Sequence, residues 1–299
     1  MTRRMIFHHP LPLFPDAASA SGIRPVQMKR AFEELGYEVW QVTGYTGERG
    51  RLAAEVRYAV RCGVRFDFCY SESSTMPMTM TNPTHLPTRP FLDLRFFRSL
   101  RRNGIPVGQF LRDIYWVFPD YRESLPFLKL RAALAAYEWD MRTLRHHVDR
   151  VFLPSLKVGE YINLGDVPIS ALEPGHGHAE PLPGPGEGVS LFYVGGIGSD
   201  YKLHELFAAV KQAWEEKNLD VRLIVCLRPE DWDAVKHEYE QWACPAIEVV
   251  HGHGNVLQEY FERTNVATIV VDLDEYWKLG VPVKLYDYIG AGKPVMVTK

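Results

Sequence analysis

Long apolar runs are missing from this sequence. No window approaches the roughly 18 to 20 apolar residues that span a bilayer. The first residues, MTRRMIFHHPLPLF, carry two arginines, but histidines and prolines interrupt the apolar stretch, so a secretory signal is disfavoured. We therefore expect a cytoplasmic protein.

Cysteine is scarce and shows no functional spacing. The four cysteines are dispersed without a CxxC pair: Cys62, Cys69, Cys226 and Cys244. Reduced structural thiols are the favoured interpretation, because free cysteine behaves as a small core hydrophobe. The histidine pairs at 8–9 and 146–147 do not combine three or four ligands at zinc spacing. No metal and no cofactor are expected.

A complete dinucleotide fingerprint is also lacking. Gly195, Gly196 and Gly198 in VGGIGSDYK do not form GxGxxG, and the next predicted strand ends in VCLRPED instead of a lone ribose-binding acid. A nicotinamide dehydrogenase is therefore disfavoured. Backbone amides of the turn at Gly195 and Gly196 still suit a phosphate.

What the sequence does contain is a regular alternation of strands and helices. Strands are predicted at 5–9, 37–43, 65–70, 106–111, 150–153, 169–172, 190–194, 221–226, 247–250, 266–271 and 294–298. A helix is predicted over residues 25–35, with Pro25 in its first turn and Gly36 after its end. This alternation predicts an α/β protein with parallel sheets covered by helices on both faces.

One segment breaks the alternation. Residues 173–188, EPGHGHAEPLPGPGEG, contain four prolines and five glycines, which is typical of a linker. We predict two Rossmann-like, doubly wound domains, at 1–172 and 189–299, on either side of it. The sequence stops on a predicted strand with no closing helix, so we expect the second domain to be incomplete and the chain to be part of a longer protein.

The two halves differ in charge. Residues 1–172 hold 23 Lys and Arg against 17 Asp and Glu, whereas residues 173–299 hold 11 against 20. A positive first half is compatible with approach to an anionic surface.

A basic amphipathic helix is predicted within this positive half, at 91–104, FLDLRFFRSLRRNG. One arc carries Leu92, Phe96, Phe97 and Leu100, and the other carries Arg95, Arg98, Arg101 and Arg102. We favour packing of the apolar arc on the sheet with the arginines in solvent. Peripheral contact with an anionic membrane is the alternative.

Loops after strands are where ligands bind in open parallel sheets, near the point at which strand order reverses. The first such loop, SASGIRP at 19–25, offers Gly22 and Arg24 as candidate ligand-binding residues. Ligand contact and simple turn chemistry both fit this stretch.

The stretch VPVKLYDYIGAGKPVMV, at 281–297, offers a second pair. Lys284 and Asp287 share a face of a predicted helix that begins near Val283. A lysine near a helix start suits a phosphate, and an aspartate accepts hydrogen bonds from vicinal hydroxyls such as those of a ribose. An exposed helical ion pair is the alternative.

Taken in order, these motifs resemble a known family. PVKLYDYIGAGKPV, the YVGGI strand and turn, the PG step at the domain junction and the glycine loop after the first strand are similar to features of GT-B glycosyltransferases, particularly those like family four. The resemblance implies an N-terminal acceptor domain and a C-terminal domain for a nucleotide sugar, with Asp287 at the position of the ribose-binding acid.

Two positions depart from that family. Leu279 stands where family four commonly has a second glutamate, so retaining or inverting stereochemistry is left open. Lys202 falls one residue after the position of the family's phosphate-binding lysine, and Lys284 and Arg228 are the candidate substitutes.

Two carboxylates in the first half are candidates for the chemistry. Asp113, in FLRDIYWVFPDY, is the first choice for a general base or a sugar-hydroxyl ligand, and Glu72, in YSESSTMPMT, is the second. A structural Arg–Asp pair beside core aromatics is the alternative for Asp113. The DLDE stretch at 272–275 contains a DxD that holds a metal in another transferase class, and here we favour a loop acid cluster near the donor site.

These features predict transfer of a hexose from a nucleotide-diphosphate sugar to a glycan or lipid-linked acceptor, in glycan or polysaccharide assembly. The expected partners are the donor, the acceptor and, in the alternative above, the inner face of a membrane through 91–104, with no nucleic acid. A nucleotide-sugar epimerase of the same fold and a non-catalytic nucleotide-sugar-binding subunit are the rival interpretations.

Overall fold

The structure, a computed structural model, describes residues 2–15, 20–175, 181–198, 201, 203–254, 256–271, 279 and 282–298. It divides into two compact units, Met1–Glu173 and Pro174–Lys299. The two units are described separately below.

The first unit is built on a parallel sheet. Its described strands are β1 (Arg3–His8), β2 (Tyr37–Val42), β3 (Phe68–Glu72), β4 (Val107–Phe110), β5 (Arg150–Leu153) and β6 (Ile169–Ala171). The strand order is β2-β1-β3-β4-β5-β6, and every pairing is parallel. Its described helices are α1 (Ala20–Glu34), α2 (Thr46–Arg61), α3 (Leu92–Arg102), α4 (Pro119–Glu123) and α5 (Phe127–His147).

The second unit repeats this architecture on a smaller scale. Its described strands are β7 (Val189–Val194), β8 (Val221–Cys226), β9 (Ile247–Val250), β10 (Val266–Ile269) and β11 (Val295–Val297). They pair in parallel in the order β11-β10-β7-β8-β9. Its described helices are α6 (Leu203–Glu215), α7 (Pro229–Tyr239), α8 (Val256–Glu262) and α9 (Val283–Gly290).

These sheets confirm the predicted α/β class. Met5, Ile6 and Phe7 on β1 are all fully buried, as are Phe192 and Tyr193 on β7. Consecutive buried residues on one strand mean that both faces of the strand are covered, which is why the central strands read as continuous apolar runs.

Helix α1 begins earlier than predicted. It starts at Ala20, so Gly22 lies in its first turn and not in a loop, and Pro25 lies inside the helix. Proline has no N–H to donate to the carbonyl four residues before it, which here belongs to Ser21. Arg112 donates to that carbonyl from Nη1 at 2.9 Å. A long-range side chain thus supplies a donor where the helix ladder has none.

Helix α3 packs with its apolar arc inside the first unit. Phe96, Phe97 and Leu100 are at most 1% exposed, while Leu92 is only partly buried and Asp93 takes the fourth buried position. The favoured packing on the sheet is therefore the observed one. The buried rings are not available to enter a bilayer.

Residues 181–188 of the predicted linker belong to the second unit and pack within it. The backbone N–H of Leu182 donates to the carbonyl of Ala291 at 3.1 Å. A Cβ added to Gly184 would collide with the backbone of Thr264, so glycine allows this close approach.

Candidate functional site

Strand order reverses once in each sheet, and each reversal creates a crevice at the carboxyl ends of two strands. In the first unit the crevice lies between β1 and β3, and in the second it lies between β7 and β10. Open parallel sheets bind ligands at such points. Four of the predicted residues lie beside these crevices: Arg24, Glu72, Gly195 and Lys284.

Glu72 is the central charged group of the first crevice. Its side chain is fully buried at the end of β3, and its carboxylate lies 3.2 Å from Nε of Arg24. The hydroxyl of Tyr70 donates to Oε2 at 3.1 Å. Burial raises the pKa of Glu72, and the charges of Arg24 and Arg112 oppose that rise. Because the carboxylate is inaccessible, its direct role in this structure is to hold the neighbouring guanidinium.

Arg24 is fixed from two sides. Its guanidinium stacks on Phe110 with 3.8 Å between Cζ and the ring centroid, and it faces Glu72 across 3.2 Å. Among the described residues, its buried Nε and Nη2 atoms have no hydrogen-bond partner. A stacked, paired arginine is pre-organised for an oxygen-rich ligand.

Asp113 lies one strand away, after β4. Its Oδ1 accepts a hydrogen bond from the backbone N–H of Tyr115 at 2.9 Å, which closes an Asx turn. The side chain is half-buried and contributes attraction to the charge of Arg112. The turn and the Arg112 interaction correspond to the structural alternative, and the catalytic role stays a prediction.

A buried polar network supports this edge of the first sheet. Arg49 donates to Asp93 from Nε at 2.9 Å and from Nη2 at 3.1 Å. It also donates to the carbonyls of Pro10, Gly44 and Met78. These carbonyls belong to the segments that follow β1, β2 and β3, so one buried guanidinium holds three loops at the carboxyl edge.

His8 and His9 are both buried and both structural. His8 lies 3.0 Å from Asp93 through Nε2 and 2.7 Å from the Ser71 hydroxyl through Nδ1. His9 donates from Nδ1 to the carbonyl of Glu72 at 2.9 Å. Burial lowers the pKa of both, to about 4 for His9, so both rings are neutral at pH 7.

Sequence reasoning missed this network, although one signal was present. Asp93 stands at the i position of an i, i+3, i+4, i+7 apolar arc with Phe96, Phe97 and Leu100. An acid on the buried face of a helix requires a buried partner. No sequence pattern marks Arg49 as buried, because it is one of several arginines on α2.

Lys284 and Gly195 meet at the second crevice. Gly195 has φ of +148°, a region that favours glycine, and a Cβ added there would lie 2.8 Å from Nζ of Lys284. Lys284 donates to the hydroxyl of Tyr193 at 3.2 Å, and that hydroxyl donates to the carbonyl of Gly196 at 2.6 Å. The ammonium is thus linked to the glycine turn through one tyrosine.

Two aromatic rings flank the same ammonium. Nζ of Lys284 lies 4.2 Å from the ring centroid of Tyr193 and 4.7 Å from that of Tyr201. Ring faces attract a cation but replace little of its hydration. Burial accordingly lowers the pKa of Lys284 to about 7. A cation in this state gains strongly from an incoming phosphate.

The other predicted residues of the second unit lie on α9, at the start of α7 and in the glycine turn. Asp287 is half-buried on α9, one turn after Lys284, and Arg228 is exposed at the start of α7, 3.9 Å from Asp231. Gly196 approaches the Tyr201 ring closely enough that a Cβ would lie 2.8 Å from it. Lys202 and residues 272–275 fall outside the described residues.

Comparison with known proteins places the fold. No model of a known protein family matches the chain, and no curated protein matches it in sequence. Solved structures do match, and three of them cover 98–99% of it. WaaG, a glycosyltransferase involved in lipopolysaccharide biosynthesis, has a TM-score of 0.55 at 12% identity, over 98% of this chain and 80% of its own. The chain has the GT-B fold.

Two further GT-B structures resemble it equally. An α,α-trehalose 6-phosphate synthase from Burkholderia multivorans has a TM-score of 0.55 at 14% identity, over 99% of this chain and 83% of its own. An α-glucosyltransferase in complex with UDP and a 13-mer DNA has a TM-score of 0.55 at 11% identity, over 99% of this chain and 78% of its own. At these identities the likeness establishes the GT-B fold, which confirms the predicted resemblance at the level of architecture.

Membrane contact finds no support in the described part of the chain. None of the helices there has both the length and the apolar character required to cross a bilayer. Phe96, Phe97 and Leu100 of α3 are in the core, whereas its four arginines are exposed.

Proposed function

We propose that this GT-B protein is a glycosyltransferase that moves a hexose from a nucleotide-diphosphate sugar to a glycan or lipid-linked acceptor. The observation that carries the proposal is the placement of Lys284 over Gly195 at the strand-order reversal of the second sheet. An amine beside a glycine turn at the carboxyl edge of the sheet combines a cation and backbone amides that suit a diphosphate.

The proposed chemistry follows from this arrangement. The anomeric carbon loses its bond to the diphosphate oxygen and gains one to an acceptor hydroxyl oxygen, whose proton leaves to a base or to the departing phosphate. Lys284 and the amides of the glycine turn stabilise the negative charge that develops on the leaving group. Asp287, one helical turn further, is proposed to accept hydrogen bonds from the ribose hydroxyls.

The proteins of similar fold also support glycosyl transfer as the proposed activity. The three GT-B structures described above are enzymes of glycosyl transfer or trehalose 6-phosphate synthesis by name, and one of them was solved with UDP. Arg24, Arg112 and Glu72 at the first crevice are the proposed acceptor side, with Asp113 as the proposed base or hydroxyl ligand.

Thermal-shift and calorimetric titration against a panel of nucleotide sugars test the donor site. We expect one member to raise the melting temperature of the wild type, and Lys284→Met to weaken its binding at least about tenfold. Lys217→Met is the matched control, because Lys217 is an exposed lysine of the same unit. Equal binding by Lys284→Met and Lys217→Met would refute the assigned site.

Two glycine variants test the turn itself. Gly195→Ala places a methyl group against Nζ of Lys284 and strains a positive φ, so we expect weaker donor binding. Gly198→Ala adds a methyl group with no atom within 4 Å and is expected to bind as the wild type does. A donor site elsewhere would leave both variants alike.

Product analysis separates the rival functions. A glycosyltransferase consumes the nucleotide sugar in proportion to added acceptor. An epimerase changes the sugar or releases nucleotide with no acceptor present, and a binding subunit does neither.

A further inference from the structure

A groove opens at the amino-terminal edge of the first sheet, opposite the edge that holds Glu72. Its volume is about 590 Å³, and it is lined by Arg98, Arg101, Arg102, His147 and Asp149 among others. These five residues define the basic groove. The segments that lead into β4 and β5 form its floor.

Positive charge in the basic groove is only partly neutralised. Asp149 is its one acid, and both carboxylate oxygens are engaged: Oδ1 accepts from Nε of Arg101 at 2.9 Å, and Oδ2 accepts from the backbone N–H of Val107 at 2.8 Å. Within the described residues, neither Arg98 nor Arg102 has a carboxylate within 4.0 Å. Two guanidinium groups are therefore available to an anion.

Helix capping does not account for these two arginines. Arg101 already donates from Nη1 to the carbonyl of His146 at the end of α5, at 2.8 Å. The side chain of Asn103 donates to the carbonyl of Ser99 near the end of α3, also at 2.8 Å. Carbonyl groups at the ends of both helices thus have other donors.

His147 reports the local field. Its pKa is lowered by burial first, and then by the positive charges of Arg98, His146 and Arg101. Arg98 and Arg101 also line the basic groove, so the positive charge that acts on His147 belongs to the same surface.

We propose that the basic groove binds a phosphate group of a small soluble ligand, at a site separate from the proposed sugar-transfer site. Guanidinium forks match phosphate geometry, and the volume falls in the range of small-molecule pockets, so a ligand of nucleotide or sugar-phosphate size fits. A bilayer is disfavoured as the source of the phosphate, because Phe96, Phe97 and Leu100 of α3 are buried and cannot serve as an apolar anchor.

NMR titration of the histidine side chains in the full chain tests the proposal, with inorganic pyrophosphate as the probe. The His147 signal is assigned with His147→Gln. We expect saturating pyrophosphate to raise the pKa of His147 by about one pH unit, because a bound anion stabilises the imidazolium form. Lys284→Met is expected to keep this rise, which separates the groove from the proposed donor site.

A pair of double variants supplies the control. Arg98→Gln with Arg102→Gln removes the two unpaired groove arginines and is expected to abolish the pyrophosphate-dependent rise and to weaken groove binding at least tenfold. Arg95→Gln with Arg131→Gln removes two exposed arginines outside the groove and is expected to keep both.

Three results would overturn the proposal. The first is no response of His147 in the wild type. The second is an equal response in both double variants. The third is a response to vesicles that contain phosphatidic acid but not to pyrophosphate, which would assign the arginines to a membrane surface.

Discussion

At the scale of single residues, the charged form of Lys284 is poorly solvated in the free protein. Its ammonium has two tyrosine rings and one hydroxyl around it, and burial lowers its pKa to about 7. A lysine in this state exchanges its proton near neutral pH, and an anion that binds beside it restores the charged form.

The first prediction concerns the pH dependence of donor binding. Lys284 is charged below pH 7 and neutral above it, so affinity for a nucleotide sugar is expected to fall about tenfold between pH 6 and pH 8. Calorimetry across that range measures the change, and the diester phosphates of a nucleotide sugar do not titrate there. In Lys284→Met the slope is expected to vanish, and a slope that survives assigns it to another group.

Glu72 is a buried ionisable residue of the first unit, as Lys284 is of the second, and burial shifts the pKa of both. It is a positioning residue, because its buried carboxylate reaches Arg24 and Tyr70 and not solvent. Its role is to balance the two guanidinium groups at the proposed acceptor edge.

The second prediction is that Glu72→Gln lowers kcat/KM for the acceptor about tenfold or more and leaves donor affinity unchanged. Burial raises the pKa of Glu72, so wild-type activity is expected to rise as pH passes above the ordinary glutamate range and Glu72 ionises. Glutamine removes that acidic limb from the pH profile. Asp113→Asn is the comparison, since its amide oxygen still accepts from the N–H of Tyr115. A larger loss in Asp113→Asn would favour Asp113 as the reacting carboxylate.

At the scale of elements, Arg49 connects segments that are far apart in sequence. It holds the loops after β1, β2 and β3 and pairs with Asp93 on α3. Burial alone would raise the pKa of Asp93, but the charge of Arg49 and the hydrogen bond from His8 outweigh it and lower the pKa. The carboxylate therefore stays charged at neutral pH and depends on its partner.

The third prediction is that Arg49→Met destabilises the protein by about 3–5 kcal/mol at pH 7, because Asp93 is left buried and unpaired. Denaturant unfolding measures the loss. Arg51→Met, two residues further on α2, removes an exposed partner of Glu55 and is expected to change stability by less than about 1 kcal/mol. Similar losses of unfolding free energy in the two variants would show that the buried network does not stabilise the protein more than an exposed ion pair.

Local patterns predicted most strands but not the groups that connect them. Short runs rich in β-branched and apolar residues predicted the bounds of β5, β8 and β9 as they are observed. The start of α1 escaped prediction because a donor from Arg112, about 90 residues away in sequence, helps to hold its first turn. Likewise, Lys284 and Gly195 were each predicted, but Tyr193 and Tyr201 become neighbours of the lysine only once the chain is folded.

At the scale of the whole molecule, the chain is two compact units with charges of opposite sign. The first unit carries the excess of arginine and lysine, and the second the excess of acid. The contacts of Lys284 described above are with residues of the second unit, and those of Arg24 and Glu72 are with residues of the first. The proposed division into a donor half and an acceptor half is thus compatible with separate folding of each unit.

The fourth prediction is that residues 174–299 fold alone and bind the nucleotide sugar, since the lysine, the glycine turn and both tyrosines belong to this unit. Calorimetry on the isolated unit is expected to give a binding constant within about tenfold of the full chain. If the isolated unit folds but does not bind the nucleotide sugar, groups of the first unit complete the donor site.

The proline within α1 has one more consequence. Because Pro25 offers no amide hydrogen, the oxygen of Ser21 is left to Arg112, whose charge also acts on Glu72. Any other residue at this position would bring a competing donor and loosen the hold of α1 on the segment after β4. The proline therefore favours a hydrogen bond between α1 and the segment after β4, two stretches that are far apart in sequence.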